Sequence, residues 1–370
     1  MLKTVYLFYP SFEKGGATKN LIRIVNFLLK KRIKVFFFTR GASKNNFIKN
    51  KNLKIINTKP LKKFNFLPIR WNLAISSMIN LNFFLKENKK HSIIFSMQSH
   101  IPAIIIAKIN QIKIVIRNSE EPIGATFYAD NKILGFFVLF LKVIFYNFSD
   151  KIIAISTKSK HSLQKIVLFK KKVSLIYNPY LEKILKIKKE TKKKSFNFNI
   201  LSIGRLTKQK NFILLIKTVI KLSKKYKNIN LLIIGNGDLK NHLRNTIRNH
   251  KNIKIINWKN KLNKYYLNSD LFVLPSYYEG LPNVLIDAVN NEIPIISTNC
   301  SGASDILHKN SGGFIVPINN QNELEKRIIF VMENYFIAKN KVLRAKKKLF
   351  KFSDINLDKY YKLLCDIHSH

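Results

Sequence analysis

Cysteine is nearly absent from this sequence, and the residue types that usually hold metals form no cluster in it. Only Cys300 and Cys365 occur, and their spacing is typical of neither a zinc site nor a redox pair. The eight histidines form no HExxH motif and do not combine with cysteine. We therefore expect neither a disulfide scaffold nor a structural metal ion.

Acidic residues are also scarce. The chain carries 20 aspartates and glutamates against 67 lysines and arginines, a formal net charge of +47. The lysines are spread through every segment, which favours a compositional bias over a dedicated polyanion surface, and no nucleic-acid-binding motif occurs. We expect no nucleic-acid partner. An anionic membrane surface remains an open possibility, because a basic residue close to such a surface contributes about 1 kcal/mol.

Apolar runs are shorter than the roughly 20 residues that a membrane-spanning helix needs. The N-terminal run, from Met1 to Pro10, is too short for a signal peptide and suits a first buried strand, which predicts a cytoplasmic protein. The longest run, "ILGFFVLFLKVIFYNF" from Ile133 to Phe148, contains a single charge at Lys142. We favour a helix buried between a sheet and its neighbours. The alternatives are a helix with one face in the membrane interface and, less favoured, a spanning helix.

Short β-rich runs alternate with helical patterns along most of the chain. The predicted strands of the first half are Thr4–Tyr9, Lys34–Thr39, Lys54–Asn57, Ser92–Met97, Lys113–Arg117, Lys151–Ser156 and Val173–Tyr177. Those of the second half are Asn199–Gly204, Leu231–Gly235, Ile253–Asn257, Asp270–Pro275, Ile293–Ser297 and Gly313–Pro317. Alternation of this kind predicts parallel sheets covered by helices.

Length and composition predict two domains. A chain of 370 residues exceeds what one hydrophobic core usually supports, and a hydrophobic content of 46% is ample for two. We predict an α/β protein with two Rossmann-like, doubly wound parallel sheets that face a cleft, in domains at 1–180 and 197–340. The lysine-dense stretch 181–196 is the predicted linker, with a solvated surface helix as the alternative. A C-terminal helix within 341–370 is expected to pack back on the first domain.

The loops that follow strands carry the candidate site, because ligands of open α/β sheets bind at the carboxyl ends of the strands. After the first strand, Gly15 and Gly16 precede a helix whose N-terminal amides would face an anion, although a plain turn is equally compatible. In the second half, Arg205 and Lys210 leave a strand end and flank the next helix. A guanidinium and an ammonium at a helix N-terminus form a natural clamp for a diphosphate.

A later loop carries two acids eight residues apart. Glu279 precedes the start of a predicted helix, and Asp287 lies one turn into it. The backbone amides of Asn283 and Val284, at the helix start, would hold a phosphate between them. This spacing suits a ligand with sugars at both ends of a pyrophosphate. A capped turn followed by an exposed helix acid is an equally good interpretation of the spacing alone.

Several motifs in this order resemble one family. "SIGRLTKQKN", "LLIIGNGDL" and "LFVLPSYYEGLPNVLIDAVNNEIPIISTNCSGASDIL" look like the C-terminal half of the retaining family 4 glycosyltransferases, the glycosyl transferases group 1, which have the GT-B fold. "GGATKNLIRIVNFL" is similar to the glycine loop of that family, and "SDKIIAISTKSKHSL" and "LIYNPY" resemble its run-up to the interdomain linker. The resemblance covers most of the chain and is loosest over 40–95 and 118–150.

The resemblance implies a nucleotide-sugar donor held mainly by the second domain, with the acceptor on the first. Arg205 and Lys210 would bind the diphosphate, Glu279 the hydroxyls of the donor sugar, and Asp287 the ribose. The family usually has glutamate where this chain has Asp287, so the ribose contact would be lengthened or bridged by water. The implied donor site further includes Gly15, Gly16, Gly280, Leu281, Asn283 and Val284.

A histidine and three charged residues of the first half complete the candidate site. His100, in "QSHIPA", follows a predicted strand and resembles the family's histidine at the sugar end of the cleft. Arg117, Glu120 and Glu121, in "IRNSEEP", follow the next strand and would face the acceptor.

The expected function is transfer of a hexose or N-acetylhexosamine, with retention at the anomeric carbon, from a nucleotide sugar to a glycan or lipid-linked acceptor. UDP is the favoured carrier, and bacterial cell-surface polysaccharide or lipopolysaccharide synthesis the favoured setting. No metal or other cofactor is expected. The expected location is cytoplasmic, with peripheral association at the inner face of the plasma membrane. The alternatives are a nucleotide-sugar epimerase of the same fold and, less favoured, a basic nucleic-acid-binding protein.

Overall fold

A computed structural model describes residues 2–13, 15–87, 90–186 and 197–369, without the side chain of residue 87. Contacts divide the chain into two compact units. The first comprises Met1–Thr126, Asn131–Tyr180 and Phe352–His370, and the second comprises Phe127–Asp130 and Leu181–Lys351. Each unit contains one parallel sheet with helices on both faces.

The first unit is built on a seven-stranded sheet in the order β3-β2-β1-β4-β5-β6-β7. All neighbouring strands in it are parallel. Its strands are β1 Thr4–Ser11, β2 Lys34–Arg40, β3 Leu53–Asn57, β4 Ser92–Ser96, β5 Ile114–Asn118, β6 Lys151–Ala154 and β7 Val173–Leu175.

Helices connect these strands and one further helix returns from the C-terminus. They are α1 Gly16–Lys30, α2 Ile69–Glu87, α3 His100–Ile109, α4 Pro122–Phe127, α5 Lys132–Phe145 and α6 Thr157–Ile166, with the C-terminal helix Ile355–Ser369. Short 3-10 helices lie at Lys44–Asn46, Lys62–Phe64, Tyr146–Phe148 and Lys170–Lys172, and a further one, Leu349–Phe352, lies where the chain leaves the second unit.

The inner strands of the first unit, such as β4 and β5, are buried on both faces, as expected for a parallel sheet covered by helices. Alternate residues of β1 enter two separate hydrophobic clusters: Val5 and Leu7 point to one face, and Tyr6 and Phe8 to the other. The first cluster includes residues of α1 and of the C-terminal helix, so the chain end is part of this core.

The second unit contains a six-stranded parallel sheet in the order β10-β9-β8-β11-β12-β13. Its strands are β8 Phe198–Ile203, β9 Ile229–Ile234, β10 Ile253–Ile256, β11 Leu271–Leu274, β12 Ile295–Thr298 and β13 Phe314–Val316. Its helices are α7 Phe212–Lys225, α8 Lys240–Thr246, α9 Asn263–Leu267, α10 Asn283–Asn290, α11 Ala303–Leu307, α12 Gln321–Glu333 and α13 Tyr335–Lys346, with a 3-10 turn at Lys208–Lys210. The C-terminal helix of the first unit is α14 in chain order.

The predicted fold class is confirmed in both units, since each sheet is parallel and doubly wound. The predicted strands occur with ends shifted by one or two residues. The predicted linker stays a prediction, because residues 187–196 lie outside the described part of the chain. Residues before them pack within the second unit: the backbone N–H of Leu185 donates to Oδ1 of Asn290 at 2.9 Å, and Lys346 Nζ donates to the carbonyl of Leu185.

The favoured interpretation of the Ile133–Phe148 run was wrong. Its residues up to Phe145 belong to α5, and no residue of this helix is buried, although Tyr146 in the 3-10 helix that follows is. Ile133 is 84% exposed and Phe140 59% exposed. The helix packs against α3 on one side. Within the described residues, no further element covers its exposed side. Among those residues, none of the helices has both the length and the apolar character needed to traverse a bilayer.

Two glycine-containing loops of the second unit approach each other unusually closely. The loop after β8 runs against the loop after β9, so that the N–H of Leu206 donates to the carbonyl of Asn236 at 2.8 Å. A Cβ on Gly235 would lie 1.9 Å from the carbonyl oxygen of Gly204. The glycine turn "GNGDL" therefore has a packing role that supports the first loop.

Gly235→Ala should destabilise the second unit strongly, because its Cβ would meet a backbone atom that cannot rotate away. We expect the free energy of unfolding to fall by about 3 kcal/mol or more, among the larger single-residue effects. Urea-induced unfolding followed by circular dichroism measures this loss. Gly15→Ala is the matched control, since a Cβ there meets no atom within 4 Å, and should change stability by less than about 0.5 kcal/mol. Equal losses in the two variants would contradict the close packing.

Candidate functional site

The predicted site residues cluster at corresponding places in the two sheets. In each sheet the strand order reverses beside the first strand, between β1 and β4 in one unit and between β8 and β11 in the other. Such reversal points open a crevice at the carboxyl ends of the strands, where ligands of doubly wound sheets bind. Gly15 and His100 follow β1 and β4, while Arg205 and Glu279 follow β8 and β11.

A buried ion pair joins the two loops of the second unit. Lys210 Nζ contacts Glu279 Oε1, and the two side chains are only 11% and 9% exposed. The lysine stem reaches the glutamate by lying against Gly204, where a Cβ would come within 3.2 Å of it. Ser276 Oγ donates a further hydrogen bond to the same carboxylate oxygen at 2.8 Å. The sequence-predicted residues Lys210 and Glu279 are thus brought together across the strand-order reversal.

Arg205 lies at the open side of the same loop. Its guanidinium is exposed and donates to Gln209 Oε1 at 3.3 Å. Gln209 in turn connects the two loops, because its side-chain amide donates to the backbone carbonyl of Tyr278 at 2.9 Å and its backbone carbonyl accepts from the N–H of Tyr277. Among the described residues, no ion pair engages Arg205. Its charge is therefore available to an anionic ligand.

The loop that carries Glu279 leads directly into α10. Gly280, Leu281 and Pro282 are buried, and α10 begins at Asn283 with no acidic residue in its first turn. Val284 and Asp287 are half-buried on this helix. An anion at its N-terminus would meet the partial positive charge of the helix end without competition from a side-chain carboxylate in that turn.

The loop after β12 packs against the loop that carries Glu279. Gly302, after β12, has φ +78°, and a Cβ on it would lie 2.9 Å from the carbonyl oxygen of Gly280. Only glycine suits both the left-handed backbone and this contact. Neither Gly302 nor the bridging side chains Gln209 and Ser276 were predicted as site residues. They lie inside the motifs "STNCSGASDIL", "GRLTKQKN" and "LPSYYEG", but only the structure reveals what they contact.

In the first unit, Gly15 and Gly16 lie at the start of α1, and no side chain caps this helix. Its first turn contains no acidic residue. The last residue of β1 is tied to the loop after β4, because the N–H of Ser11 donates to Gln98 Oε1 at 2.9 Å. The N-terminus of α1 thus follows β1, and that of α3, which begins with His100, follows the neighbouring strand β4.

His100 begins α3 and is held in the neutral form. Its Nδ1 is 2.9 Å from Ser96 Oγ, and its ring packs edge-on against Tyr146. Burial lowers the pKa of His100 to about 3, and the neighbouring cations of Lys142 and Arg117 act in the same direction. A neutral imidazole at a strand end can exchange hydrogen bonds with a hydroxyl group.

The three remaining candidates of the first unit have partners within that unit. Arg117 is 1% exposed and donates to Tyr360 Oη at 3.0 Å and to Ser119 Oγ at 2.7 Å. Glu120 pairs with Lys142 at 2.9 Å. Glu121 accepts from the N–H groups of Ile123 and Gly124, which caps α4. Their acceptor-facing role stays a prediction, and each has a structural role as well.

Within the described residues, no group of three or more histidine, cysteine, aspartate or glutamate side chains is arranged to hold a metal ion. The charged groups that follow the second unit's strands β8 and β11 are Arg205, Lys210 and Glu279, with Asp287 further along in α10. Two of them are cationic, and Arg205 and the N-terminus of α10 are suited to phosphate oxygens.

Comparisons with known proteins agree with this geometry. Residues 183–349 match the family described as Glycosyl transferases group 1. These residues therefore form a glycosyltransferase domain. Proteins with such a domain are transferases. The predicted resemblance to the glycosyl transferases group 1 is confirmed over these residues, whereas membership of family 4 and retention at the anomeric carbon stay predictions.

Relatives at the level of sequence are also glycosyltransferases. An uncharacterized glycosyltransferase of Methanocaldococcus jannaschii is 31% identical over 225 residues, which cover 56% of this chain and 55% of that protein. This chain thus spans about half the length of that relative. A Campylobacter jejuni α-1,4-N-acetyl-D-galactosaminyltransferase, named for a diphosphoundecaprenol-linked substrate, is 26% identical over 377 residues and 99% of each chain.

The fold is shared with solved GT-B structures. Anabaena HepE, in complex with UDP and glucose, superimposes with a TM-score of 0.76 over 99% of this chain and 100% of that one, at 16% identity. At this identity the likeness establishes the fold, two Rossmann-like parallel-sheet domains of the GT-B type.

Lys210→Met should destabilise the second unit, because it leaves the Glu279 carboxylate buried without its cation. We expect a loss of about 3 kcal/mol in the free energy of unfolding. Adding Glu279→Gln should recover part of that loss, since a neutral amide still accepts from Ser276. Urea unfolding of both single variants and the double variant gives the coupling energy.

The exposed pair of Lys326 and Glu323 provides the control for this cycle. Lys326→Met should cost less than about 0.5 kcal/mol, as is usual for exposed pairs. If the losses at Lys210 and Glu279 simply add, the two side chains do not form a coupled buried pair.

His100 should make the first unit sensitive to mild acid. Its folded pKa lies below its usual value of about 6.5, so the unfolded chain takes up the proton first as the pH falls. Stability is then lost from pH 6.5 downward, by up to about 1.4 kcal/mol per pH unit. His100→Asn keeps a polar group near Ser96 and removes this titration. The stability difference between wild type and variant should change between pH 7 and 5, and a constant difference would contradict the buried neutral imidazole.

Proposed function

We propose that the protein is a retaining glycosyltransferase of family 4, which transfers a hexose or N-acetylhexosamine from a UDP-sugar to a lipid-linked or glycan acceptor. The observation that carries the proposal is the buried pair of Lys210 and Glu279 beside the exposed Arg205, at the strand-order reversal of a glycosyltransferase domain. This arrangement combines cations for a diphosphate with a fixed carboxylate for sugar hydroxyls.

In the proposed reaction, the bond between the anomeric carbon and the β-phosphate oxygen breaks, and an acceptor oxygen bonds to the same face of that carbon. The acceptor's proton passes to the departing phosphate. Negative charge therefore develops on the diphosphate, and groups placed to receive it lower the barrier. Arg205, Lys210 and the first amides of α10 are those groups.

Glu279 has a positioning and a binding role in this proposal. Ser276 and Lys210 hold its carboxylate in one orientation, so that an oxygen can accept from hydroxyls of the donor sugar. Asp287, one turn into α10, binds the ribose directly or through water. Gly280 and Leu281 shape the backbone between the two acids, and Asn283 and Val284 begin the helix that faces the phosphate.

The first unit supplies the acceptor side. A neutral His100 can hydrogen-bond to a sugar hydroxyl without adding a positive charge near an oxocarbenium-like sugar. The amides at Gly15 and Gly16 provide a second place for phosphate oxygens. Arg117, Glu120 and Glu121 fix the loop after β5 that would border the acceptor.

The substrate classes are proposed by analogy with named relatives. The Campylobacter jejuni relative is named for a polyprenyl diphosphate-linked glycan, and the Anabaena structure contains UDP. We therefore infer a UDP-linked donor, a lipid-linked acceptor in bacterial cell-surface glycan synthesis, and a cytoplasmic protein at the inner face of the plasma membrane. No metal is included in the proposal, because Arg205 and Lys210 supply the cationic charge.

A donor screen separates this function from the nearest alternative. The protein is incubated with individual UDP-, GDP-, ADP- and TDP-sugars without acceptor, and free nucleoside diphosphate and remaining nucleotide sugar are quantified. A transferase is expected to release UDP slowly from one UDP-sugar. Conversion into a different nucleotide sugar would instead indicate an epimerase, and the transferase proposal would be abandoned.

Arg205→Ala should lower the rate of UDP release or transfer by about 10²- to 10³-fold, as for other single groups that stabilise a charged transition state. Arg205→Lys should be intermediate, because an ammonium keeps the charge and loses the bidentate geometry. Arg248→Ala, at an exposed arginine of the same unit, is the control and should retain wild-type rates. Near-wild-type activity of Arg205→Ala would remove the diphosphate clamp from the mechanism.

A further inference from the structure

Helix α5 exposes apolar side chains that an ordinary surface helix would bury. A surface helix buries its apolar stripe and exposes its charges. In α5, five large apolar side chains spaced as i, i+3, i+4, i+7 and i+11 are exposed instead. They are Ile133, Phe136, Phe137, Phe140 and Ile144. At this spacing they occupy one side of the helix.

Of the two lysines of α5, Lys132 begins the helix and is exposed, whereas Lys142 points inward. Lys142 lies two residues after Phe140, about 200° around the helix. Its side chain is only 13% exposed, and its Nζ is 2.9 Å from Glu120 Oε1. The exposed stripe consequently contains no charge, while the lysine of the run is neutralised within the unit.

The apolar surface continues beyond the end of α5. Asn147 Oδ1 accepts from the N–H of Leu168 at 2.7 Å, which fixes a second segment beside the helix end. Leu168 is 79% exposed and Phe169 is exposed next to it. Lys170 and Lys171 follow, both exposed. A rim of positive charge therefore borders the apolar surface.

We propose that this docking face, the α5 stripe with Leu168 and Phe169 and the basic rim of Lys170 and Lys171, inserts shallowly into the surface of an anionic lipid bilayer. The apolar side chains would enter the boundary between headgroups and acyl chains, and the lysines would contact anionic headgroups. At 14 residues, α5 is about 21 Å long and lies in the membrane plane, because a crossing needs about 30 Å.

Charge favours a lipid surface over a second copy of the chain. A symmetric contact through this face would bring Lys170 and Lys171 of two copies near one another, on a protein of net charge +47. Neither α5 nor the segment from Leu168 to Lys171 contains an acidic residue that could compensate. An anionic bilayer supplies the missing negative charge together with an apolar interior.

The inference deepens the proposed membrane location and rests on it for its biological meaning, but its test needs no transferase activity. Purified full-length protein is mixed with vesicles of phosphatidylcholine alone or with phosphatidylglycerol added, and bound protein is measured by flotation at physiological salt. We expect binding to the anionic vesicles that weakens as salt is raised. Absence of binding to them would overturn the proposal.

Two double variants test the two parts of the docking face. Phe137→Ser with Phe140→Ser should reduce vesicle binding by at least about tenfold, since two half-exposed aromatic side chains no longer insert. Lys170→Glu with Lys171→Glu should reduce binding to anionic vesicles by a similar factor. Binding to vesicles of phosphatidylcholine alone should be the same as for the wild type. Wild-type binding by either double variant would overturn the assignment.

Matched controls keep the test specific. Phe336→Ser removes an exposed phenylalanine of the second unit, and Lys224→Glu with Lys225→Glu reverses two exposed lysines there. Both controls should bind as the wild type does, and all variants should keep the wild-type melting temperature. If the α5 variant instead abolishes self-association in sedimentation experiments and leaves vesicle binding intact, a second copy covers this face and the lipid proposal is wrong.

Proximity to lipid provides an independent readout. Phe140→Trp places an indole on the docking face, and Phe336→Trp places one on the second unit. With anionic vesicles, the fluorescence of the first variant should shift to the blue and be quenched by brominated lipids, whereas that of the second should not change. The same response from both would contradict insertion through α5.

Discussion

The candidate site depends on one buried ion pair, between Lys210 and Glu279. Removing two charges from water is costly, and their mutual attraction compensates only if the geometry is fixed and other hydrogen bonds are satisfied. Here the fixing groups are identifiable: Gly204 leaves room for the lysine stem, and Ser276 donates to the carboxylate. In a ligand-free protein the pair keeps both charges in place on the loops that precede α7 and α10. A bound diphosphate would add negative charge beside a lysine that is already oriented.

The two units have the same strand-order reversal, but they carry different side chains at that point. Both sheets reverse their strand order beside the first strand, so both present two loops and a helix N-terminus at one point. In the second unit this point carries Arg205 and Lys210, which suit a charged leaving group. In the first it carries His100, kept neutral by burial and nearby cations. This division agrees with a donor on one unit and an acceptor on the other.

Much of the fold was predictable because its signals are local. Strands such as β8 and β11 are apolar runs bounded by loop residues, and α10 begins at Asn283, where the helix start was predicted. Lys210 was recognisable only through its motif, since lysine is common everywhere in this chain. Its partner is 69 residues away, and neither Ser276 nor Gln209 carries a local signal for the contact that it makes. The contact between two loops that are far apart in the sequence forms only when the chain folds. The burial of α5 was mispredicted for a related reason: a uniformly apolar sequence predicts that a helix needs cover, but it does not identify what provides the cover.

The most direct test of the account is a crystal structure of the protein with UDP. The account predicts the diphosphate at the carboxyl ends of β8 and β11, with its oxygens within hydrogen-bond distance of the Arg205 guanidinium, Lys210 Nζ and the first amides of α10. A diphosphate bound elsewhere, or bound there without contact to either cation, would contradict it.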